Sequence, residues 1–358
     1  MHIYLYMFLA TFVSALSLTL LRRVAISAGL VDIPSDRKCH NGNVPLVGGI
    51  SILLGVGSVI MLLPHLMVHQ YKYLLFSSAL VFIGMLDDKL DIRATYRLGV
   101  LILISFWLVK QENIHFFHLG DLFGQGNIDL DDGALLFTTL AIIGCITAFN
   151  MLDGIDGLLG VLAMGTIGSL GILFGLSGNY DFMLFCLIFI AAMCPYILLN
   201  LDLKSGSRYK VFMGDAGSFL VGFTVIWLLM FATQPINKST LLEVMHPVTA
   251  LWLMAVPLMD MTLVIVKRLY NKQSPLKADR RHIHHVLMNF GLSARKSLIV
   301  IGTFSLSTAV IGLFLQLSGS AESTILLLFF QLFILYCAAN LWLEKKIQLK
   351  SVDSIASH

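Results

Sequence analysis

Carboxylates, glycines and histidines gather at four places where long apolar runs of the chain break. Phe149-Asn150-Met151-Leu152-Asp153-Gly154-Ile155-Asp156-Gly157-Leu158 places two aspartates three residues apart between two such runs. Glycines at 154 and 157 let the backbone turn tightly or approach a ligand closely, and aspartate supplies the hard oxygen that Mg²⁺ prefers. Asp87-Asp88-Lys89-Leu90-Asp91, with Arg93 and Arg97 behind it, sets Asp87 and Asp91 four apart and Asp88 and Asp91 three apart. If a helix continues through them, at least two carboxylates share a face, and acids so close repel unless a cation joins them. In Val211-Phe212-Met213-Gly214-Asp215-Ala216-Gly217-Ser218 an aspartate flanked by glycines opens an apolar run. The amide groups of a helix start attract anions, and a carboxylate there can hold a metal that bridges to phosphate. Asp279-Arg280-Arg281-His282-Ile283-His284-His285 adds two arginines able to make forked hydrogen bonds to phosphate. Its imidazoles can bind phosphate, shuttle protons or ligate a metal.

Each cluster alone also has an ordinary explanation: an Asp-Gly turn, a charge-balanced solvated loop, an N-cap by Asp215. Three histidines within four residues are the hardest to account for as packing. An early polar segment supplies Asp32, Pro34, Asp36, Arg37, Lys38 and His40, followed by Val44-Pro45-Leu46-Val47-Gly48-Gly49. It reads equally as a binding element or a connector, and its glycines suit close helix packing. Asp129, Asp131 and Asp132 form a further acidic cluster, and Asp260 stands inside an apolar run, where an ionisable group is functional or paired.

The elements that must position these residues are membrane spans. Of 358 residues 57% are hydrophobic and 13% charged, with a mean hydropathy of +0.85, more apolar material than a soluble core of this size can bury. The expected fold is all-α and polytopic, a single membrane-embedded unit over 1–358 with about eleven spans of roughly 20 residues. They fall near 3–21, 45–63, 70–86, 98–116, 134–152, 158–176, 182–201, 214–232, 246–266, 297–317 and 323–343. The third and fourth are the shortest charge-free stretches. The first 21 residues lack Lys and Arg and are followed by Arg22-Arg23, the pattern of a retained span with the N-terminus outside. That topology, with a periplasmic N-terminus and a cytoplasmic C-terminus, puts 21 of the 24 Lys and Arg on the inner side and only Lys72, Lys110 and Lys238 outside. It also puts Asp87, Asp88, Asp91, Asp153, Asp156, Asp215 and the histidine loop on the cytoplasmic face, which independent turns and caps have no reason to do. The cluster at 129–132 falls on the other side.

A net charge of +3 without a basic block gives no sign of nucleic-acid binding, and the five cysteines are scattered, four of them in apolar runs. Walker, Gly-x-Ser-x-Gly and His-Glu-x-x-His patterns are absent from the sequence, which leaves P-loop hydrolysis, serine hydrolysis and zinc proteolysis unsupported.

In order, Asp87-Asp88-Lys89-Leu90-Asp91, Asn150-Met151-Leu152-Asp153-Gly154-Ile155-Asp156-Gly157, Phe212-Met213-Gly214-Asp215-Ala216-Gly217-Ser218 and His282-Ile283-His284-His285 resemble the motifs of the polyprenyl-phosphate N-acetylhexosamine-1-phosphate transferases. The resemblance covers most of the chain and is nearest to the bacterial N-acetylglucosamine branch. It implies transfer of N-acetylglucosamine 1-phosphate from UDP-N-acetylglucosamine to undecaprenyl phosphate with release of UMP, the first membrane step of O-antigen or enterobacterial common antigen synthesis. It further implies Mg²⁺ or Mn²⁺, a bacterial inner-membrane location and a site on the cytoplasmic face. Asp215 would be the principal metal ligand, with Asp156 beside it. Asp87 and Asp88 would orient or deprotonate the lipid phosphate, and Asp91, Asp153, Asp156 and His282 would complete the catalytic set. Asn150, Arg280, Arg281, His284, His285, Lys210, Asp32 and Lys38 would bind substrate. Direct one-step attack is the expected mechanism. The oligomeric state, a homodimer included, stays open. Two alternatives remain: a phospho-N-acetylmuramoyl-pentapeptide transferase, against which the His-Ile-His-His form speaks, and a lipid-linked sugar flippase or transporter. A transporter concentrates its charges near the bilayer midplane, and here only Asp260 approaches it.

Overall fold

Backbone in lipid must satisfy its own hydrogen bonds, and this chain does so almost entirely with helices. A computed structural model describes residues 2–33, 42–202, 209–234, 243–275 and 281–356. In chain order the elements are α1 (His2–Ala28), β1 (Val31–Asp32), β2 (Val44–Pro45), α2 (Gly48–Leu62), α3 (Gln70–Leu90), α4 (Ala94–Lys110) and α5 (Ala134–Leu152). There follow α6 (Leu158–Leu176), α7 (Tyr180–Asn200), α8 (Gly214–Thr233), α9 (Thr249–Leu253), α10 (Ala255–Tyr270), α11 (Ile283–Phe290), α12 (Ala294–Leu317) and α13 (Glu322–Ala356). All eleven apolar runs contain helix. Among the described residues seven helices are long and apolar enough to cross a membrane: α1, α5, α6, α7, α8, α12 and α13. The protein is a multi-pass, all-helical membrane protein.

Three boundaries depart from the sequence expectation. The third helix does not stop with its apolar run but carries on through Asp87 and Asp88 to Leu90. The fourth begins at Ala94 and ends at Lys110, earlier than the run at 98–116. The ninth run divides at Met254 (φ −116°, ψ 30°) into α9 and α10. Pro257, which has no N–H to give to the carbonyl of residue 253, explains that break.

The bundle is built around α8. Every residue from Ala216 to Thr233 is buried, so this helix has no face for lipid. Close approach of its neighbours depends on glycine. A Cβ on Gly49 of α2 would lie 2.7 Å from the Ala216 carbonyl carbon, one on Gly84 of α3 would lie 2.8 Å from that of Asp215, and one on Gly222 of α8 would lie 2.5 Å from Ile146 Cα on α5. The short strands β1 and β2 pair antiparallel, and β2 also holds the entry to α8: Phe212 N–H donates to the Pro45 carbonyl (2.9 Å) and Gly48 N–H to that of Phe212 (3.0 Å). In the middle of the bundle Tyr73, Phe185, Phe223 and Trp227 pack ring to ring, with Tyr73 Oη 2.7 Å from Thr224 Oγ1. A second apolar cluster joins α9 and α10 to α13 through Val248, Trp252, Met259, Ile325, Phe329 and Tyr336. Lys267 of α10 reinforces that contact by donating to Asn340 (2.7 Å) and Glu344 (2.9 Å) on α13.

Candidate active site

The extra turns of α3 explain where its acids go. Asp88 reaches the first turn of α8, where its carboxylate accepts from the Asp215 N–H (Oδ1, 2.8 Å) and the Ala216 N–H (Oδ2, 3.3 Å). It therefore caps α8 from a neighbouring helix, and the negative charge sits on the positive end of that helix. Gly214 precedes it at φ +69°, and a Cβ there would press on the Asp88 carboxyl group. Asp215 is thus not the cap, and its carboxylate serves elsewhere. Its Oδ1 accepts from Asn150 Nδ2 (2.6 Å), which also donates to Ser218 Oγ (2.8 Å), while its Oδ2 accepts from Arg97 Nη1 (3.2 Å). The same Arg97 nitrogen donates to Asp87 Oδ2 (2.6 Å), and Asp87 Oδ1 accepts from the Ile92 N–H (2.9 Å). One guanidinium on the first turn of α4 therefore joins the carboxylates of α3 and α8.

The aspartate loop between α5 and α6 is fixed from below by Asn200 at the end of α7. Its Oδ1 accepts from the Gly157 N–H (2.6 Å) and its Nδ2 donates to the Val211 carbonyl (2.9 Å), tying this loop to the segment that leads into Asp215. Gly157 has φ +79°, a left-handed conformation that favours glycine. Asp153 is the exposed last residue of the α5 turn, and Asp156 accepts from Lys210 Nζ (2.7 Å).

The histidine loop closes on this assembly. His284 is 1% exposed and lies against Gly154, where a Cβ would come within 3 Å of three of its ring atoms. Burial, then the neighbouring His285 and His282, push its pKa down to about 2, so the ring is neutral. Neither of its ring nitrogens has a hydrogen-bond partner among the described residues. The His282 ring stacks parallel to it at 5.9 Å, and its Nδ1 is 2.7 Å from Asp260 Oδ2. The His285 ring lies 4.2 Å from that of His284, tilted by 45°.

The structure thus brings Asp87, Asp88, Asn150, Asp215, His282 and His284 to one end of the bundle, with Asp153 and Asp156 on the loop beside them and Lys210 on the segment that leads into α8. It does not bring Asp91 in: this residue ends α3 in a left-handed conformation (φ +48°), is exposed, and its carboxylate makes no hydrogen bond or ion pair among the described residues. Asp32 lies in β1, partly buried, and Arg281 precedes His282. Lys38 and Arg280 lie outside the described residues, as do Asp36, Arg37, His40 and Asp279. Asp129, Asp131 and Asp132 are exposed at the opposite end of α5, roughly 28 Å away for a helix of 19 residues. Sequence reading missed the roles of Arg97, Asn200, Ser218 and Tyr336. Arg97 stands beside a motif and Ser218 closes one, but Asn200 and Tyr336 carry no local signal.

The carboxylates of Asp87, Asp88, Asp153, Asp156 and Asp215 belong to this assembly, where Arg97 pairs with Asp87 and Asp215 and Lys210 with Asp156. A divalent cation bound among carboxylates gathered so closely would lower their mutual repulsion. No group of three or more His, Cys, Asp or Glu side chains among the described residues forms a ready metal cage. Mg²⁺ does not need one, since it keeps water and is bound through one or two carboxylates plus substrate phosphates. Asp215, with 31% of its side chain exposed, fits that manner of binding.

A multi-pass helical membrane protein with acids and histidines gathered at one end matches one recognised class. Residues 71–233 match the family described as Glycosyl transferase family 4, and the chain belongs to that family. It is 42% identical over 347 residues to the undecaprenyl-phosphate alpha-N-acetylglucosaminyl 1-phosphate transferase of Yersinia pestis, covering 95% of this chain and 91% of the relative. The proteins of the same description from Salmonella typhi (39% over 326 residues, 90% and 87% covered) and Haemophilus influenzae (39% over 327 residues, 91% of each) are similar to it as well.

Proposed function

We propose that this protein transfers N-acetylglucosamine 1-phosphate from UDP-N-acetylglucosamine to undecaprenyl phosphate, releasing UMP, at the cytoplasmic face of a bacterial inner membrane. The step begins a lipid-linked glycan of the O-antigen or enterobacterial common antigen kind. The observation that carries this reading is the convergence of the α3, α5–α6 and α8 acids with the histidine loop at one end of a bundle, the end that the Lys and Arg asymmetry assigns to the cytoplasm. A polyprenyl tail can stay in lipid while its phosphate reaches that end.

In the reaction an oxygen of the lipid phosphate attacks the β-phosphorus of the nucleotide sugar. The new P–O bond forms as the bond between the two phosphorus centres' bridging oxygen and the β-phosphorus breaks, and UMP leaves with the electron pair. A lipid phosphate is largely ionised at neutral pH, so the step needs no strong base. Asp215, with Asp156, would hold Mg²⁺ or Mn²⁺, which when bound offsets the charge of the two phosphate substrates. Asp87 and Arg97 orient the lipid phosphate, Asp88 holds the start of α8 in place, and Asn150 fixes the Asp215 carboxylate. The histidine loop meets the charge that builds on the departing nucleotide.

The test is direct. Membranes carrying the protein, given labelled UDP-N-acetylglucosamine and undecaprenyl phosphate, should yield a labelled lipid and UMP in equal amounts, with no label on the protein when the lipid is withheld. UMP release without lipid product, or turnover only with the UDP-N-acetylmuramoyl-pentapeptide donor, would refute the assignment.

A further inference from the structure

Asp260 is 0% exposed, in the apolar part of α10, yet three hydrogen bonds converge on its carboxylate. Oδ2 takes His282 Nδ1 at 2.7 Å, and Oδ1 takes both the Ile283 N–H at 2.8 Å and the Tyr336 hydroxyl at 2.9 Å. A carboxylate is costly to bury and is kept only where it is fully paired or used. Capping α11 would need one oxygen. The second oxygen is committed to the ring of His282, and Tyr336, 76 residues further on in α13, steadies the first.

We propose that Asp260, held by Tyr336, is the positioning residue for His282, and that α13 thereby forms part of the catalytic apparatus. An ionised carboxylate only accepts, so the proton of the bond must lie on Nδ1 of the imidazole. That choice fixes the ring plane and leaves Nε2, which has no hydrogen-bond partner among the described residues, as the nitrogen available to a substrate phosphate. The Ile283 bond sets the start of α11 at the same time, so backbone and ring are registered by one group. The proposal rests on the reading in which His282 meets the substrate.

Asp260→Asn is the informative variant. The carboxamide keeps the shape and can still accept from Ile283 and Tyr336 through Oδ1, but its Nδ2 donates where Oδ2 accepted. The ring must then turn its lone pair to Nδ1 and carry its proton on Nε2, the reversed tautomer. Turnover should fall about 100-fold, with KM for UDP-N-acetylglucosamine within about twofold of wild type. Tyr336→Phe, which removes one of the three bonds, should lower kcat about fivefold. In a His282→Gln background neither change should lower kcat further, because each acts through that ring. A group that served only to hold the fold would reduce the amount of folded protein or its Tm and leave kcat per folded molecule unchanged.

Wild-type kcat in folded Asp260→Asn, or losses that multiply with that of His282→Gln, would overturn the proposal. If Asp260→Asn does not fold, Tyr336→Phe decides by the same two criteria. Absence of any lipid product from the wild type is a different result, and it strikes the assigned reaction, not the positioning of His282.

Discussion

Gly154→Ala tests whether the aspartate and histidine loops must close on each other. Gly154 is not among the glycines with positive φ, so alanine can adopt its backbone without strain and the effect has to come from what its methyl group meets. That methyl would lie 2.6 Å from His284 Cε1 and 2.9 Å from Cδ2, against an ordinary contact of 3.4–4 Å. His284 is 1% exposed and cannot swing into solvent, so the ring and the start of α11 must retreat by about 1 Å. A misplacement of that size costs about 100-fold in rate, or roughly 2.7 kcal/mol of barrier. The control is Gly165→Ala in the middle of α6, where no atom lies within 4 Å of the new Cβ. It should leave turnover alone and add up to about 1 kcal/mol of helix stability. UMP release at saturating substrates, normalised to folded protein from size exclusion and Tm, reads both. A folded Gly154→Ala enzyme with turnover within twofold of wild type would show that the two loops need not meet.

Three further outcomes follow from the arrangement. Replacing Asp129, Asp131 and Asp132 together by Asn should leave turnover near normal, whereas Asp87→Asn should reduce it by orders of magnitude; an equally dead triple variant would sink the single-site reading. Asp215→Asn should abolish transfer in a protein that still folds, and EDTA should silence the wild type reversibly, as restored activity on adding Mg²⁺ or Mn²⁺ would report. The folded protein keeps His284 neutral down to about pH 2, while an unfolded histidine takes up a proton below about 6.5. Stability from this group is therefore full above pH 6.5 and lost as pH falls toward 2, roughly 2 kcal/mol by pH 5. His284→Phe should flatten that acid limb in a plot of Tm against pH, and an unchanged limb would remove His284 as its source.

What the sequence disclosed and what it hid follow a physical division. Helical runs are written locally in apolar length, and each of the eleven expected runs carries helix. The acids and histidines announced themselves because clustered charge is rare at the ends of such runs. Partnerships across the bundle leave no such trace. The motifs point Asp88 at the lipid phosphate and leave Asp215 either a metal ligand or the cap of its own helix, and the structure gives the cap to Asp88, since only the packing of α3 on α8 decides which carboxylate meets the free amides. Asn200 sits 43 residues from the glycine it holds, and Tyr336 sits 76 from Asp260. The break at Met254 was legible in Pro257 but was masked by the uninterrupted hydropathy around it.

Because α8 touches no lipid, the height of Asp215 relative to the membrane is set by protein neighbours and not by the bilayer. Thinner or thicker membranes are accommodated by tilting helices that face the acyl chains. In this bundle those are peripheral helices such as α1 and α12, whose apolar windows are only 17% and 28% buried. They can lean while the central post stays upright, held at Gly49, Gly84 and Gly222 by backbone contact with no side chain to act as a spring. The reacting phosphates should therefore meet at a constant depth across lipids of different chain length. The same rigidity leaves the post no slack: a bulkier residue on any side of it has nowhere to go.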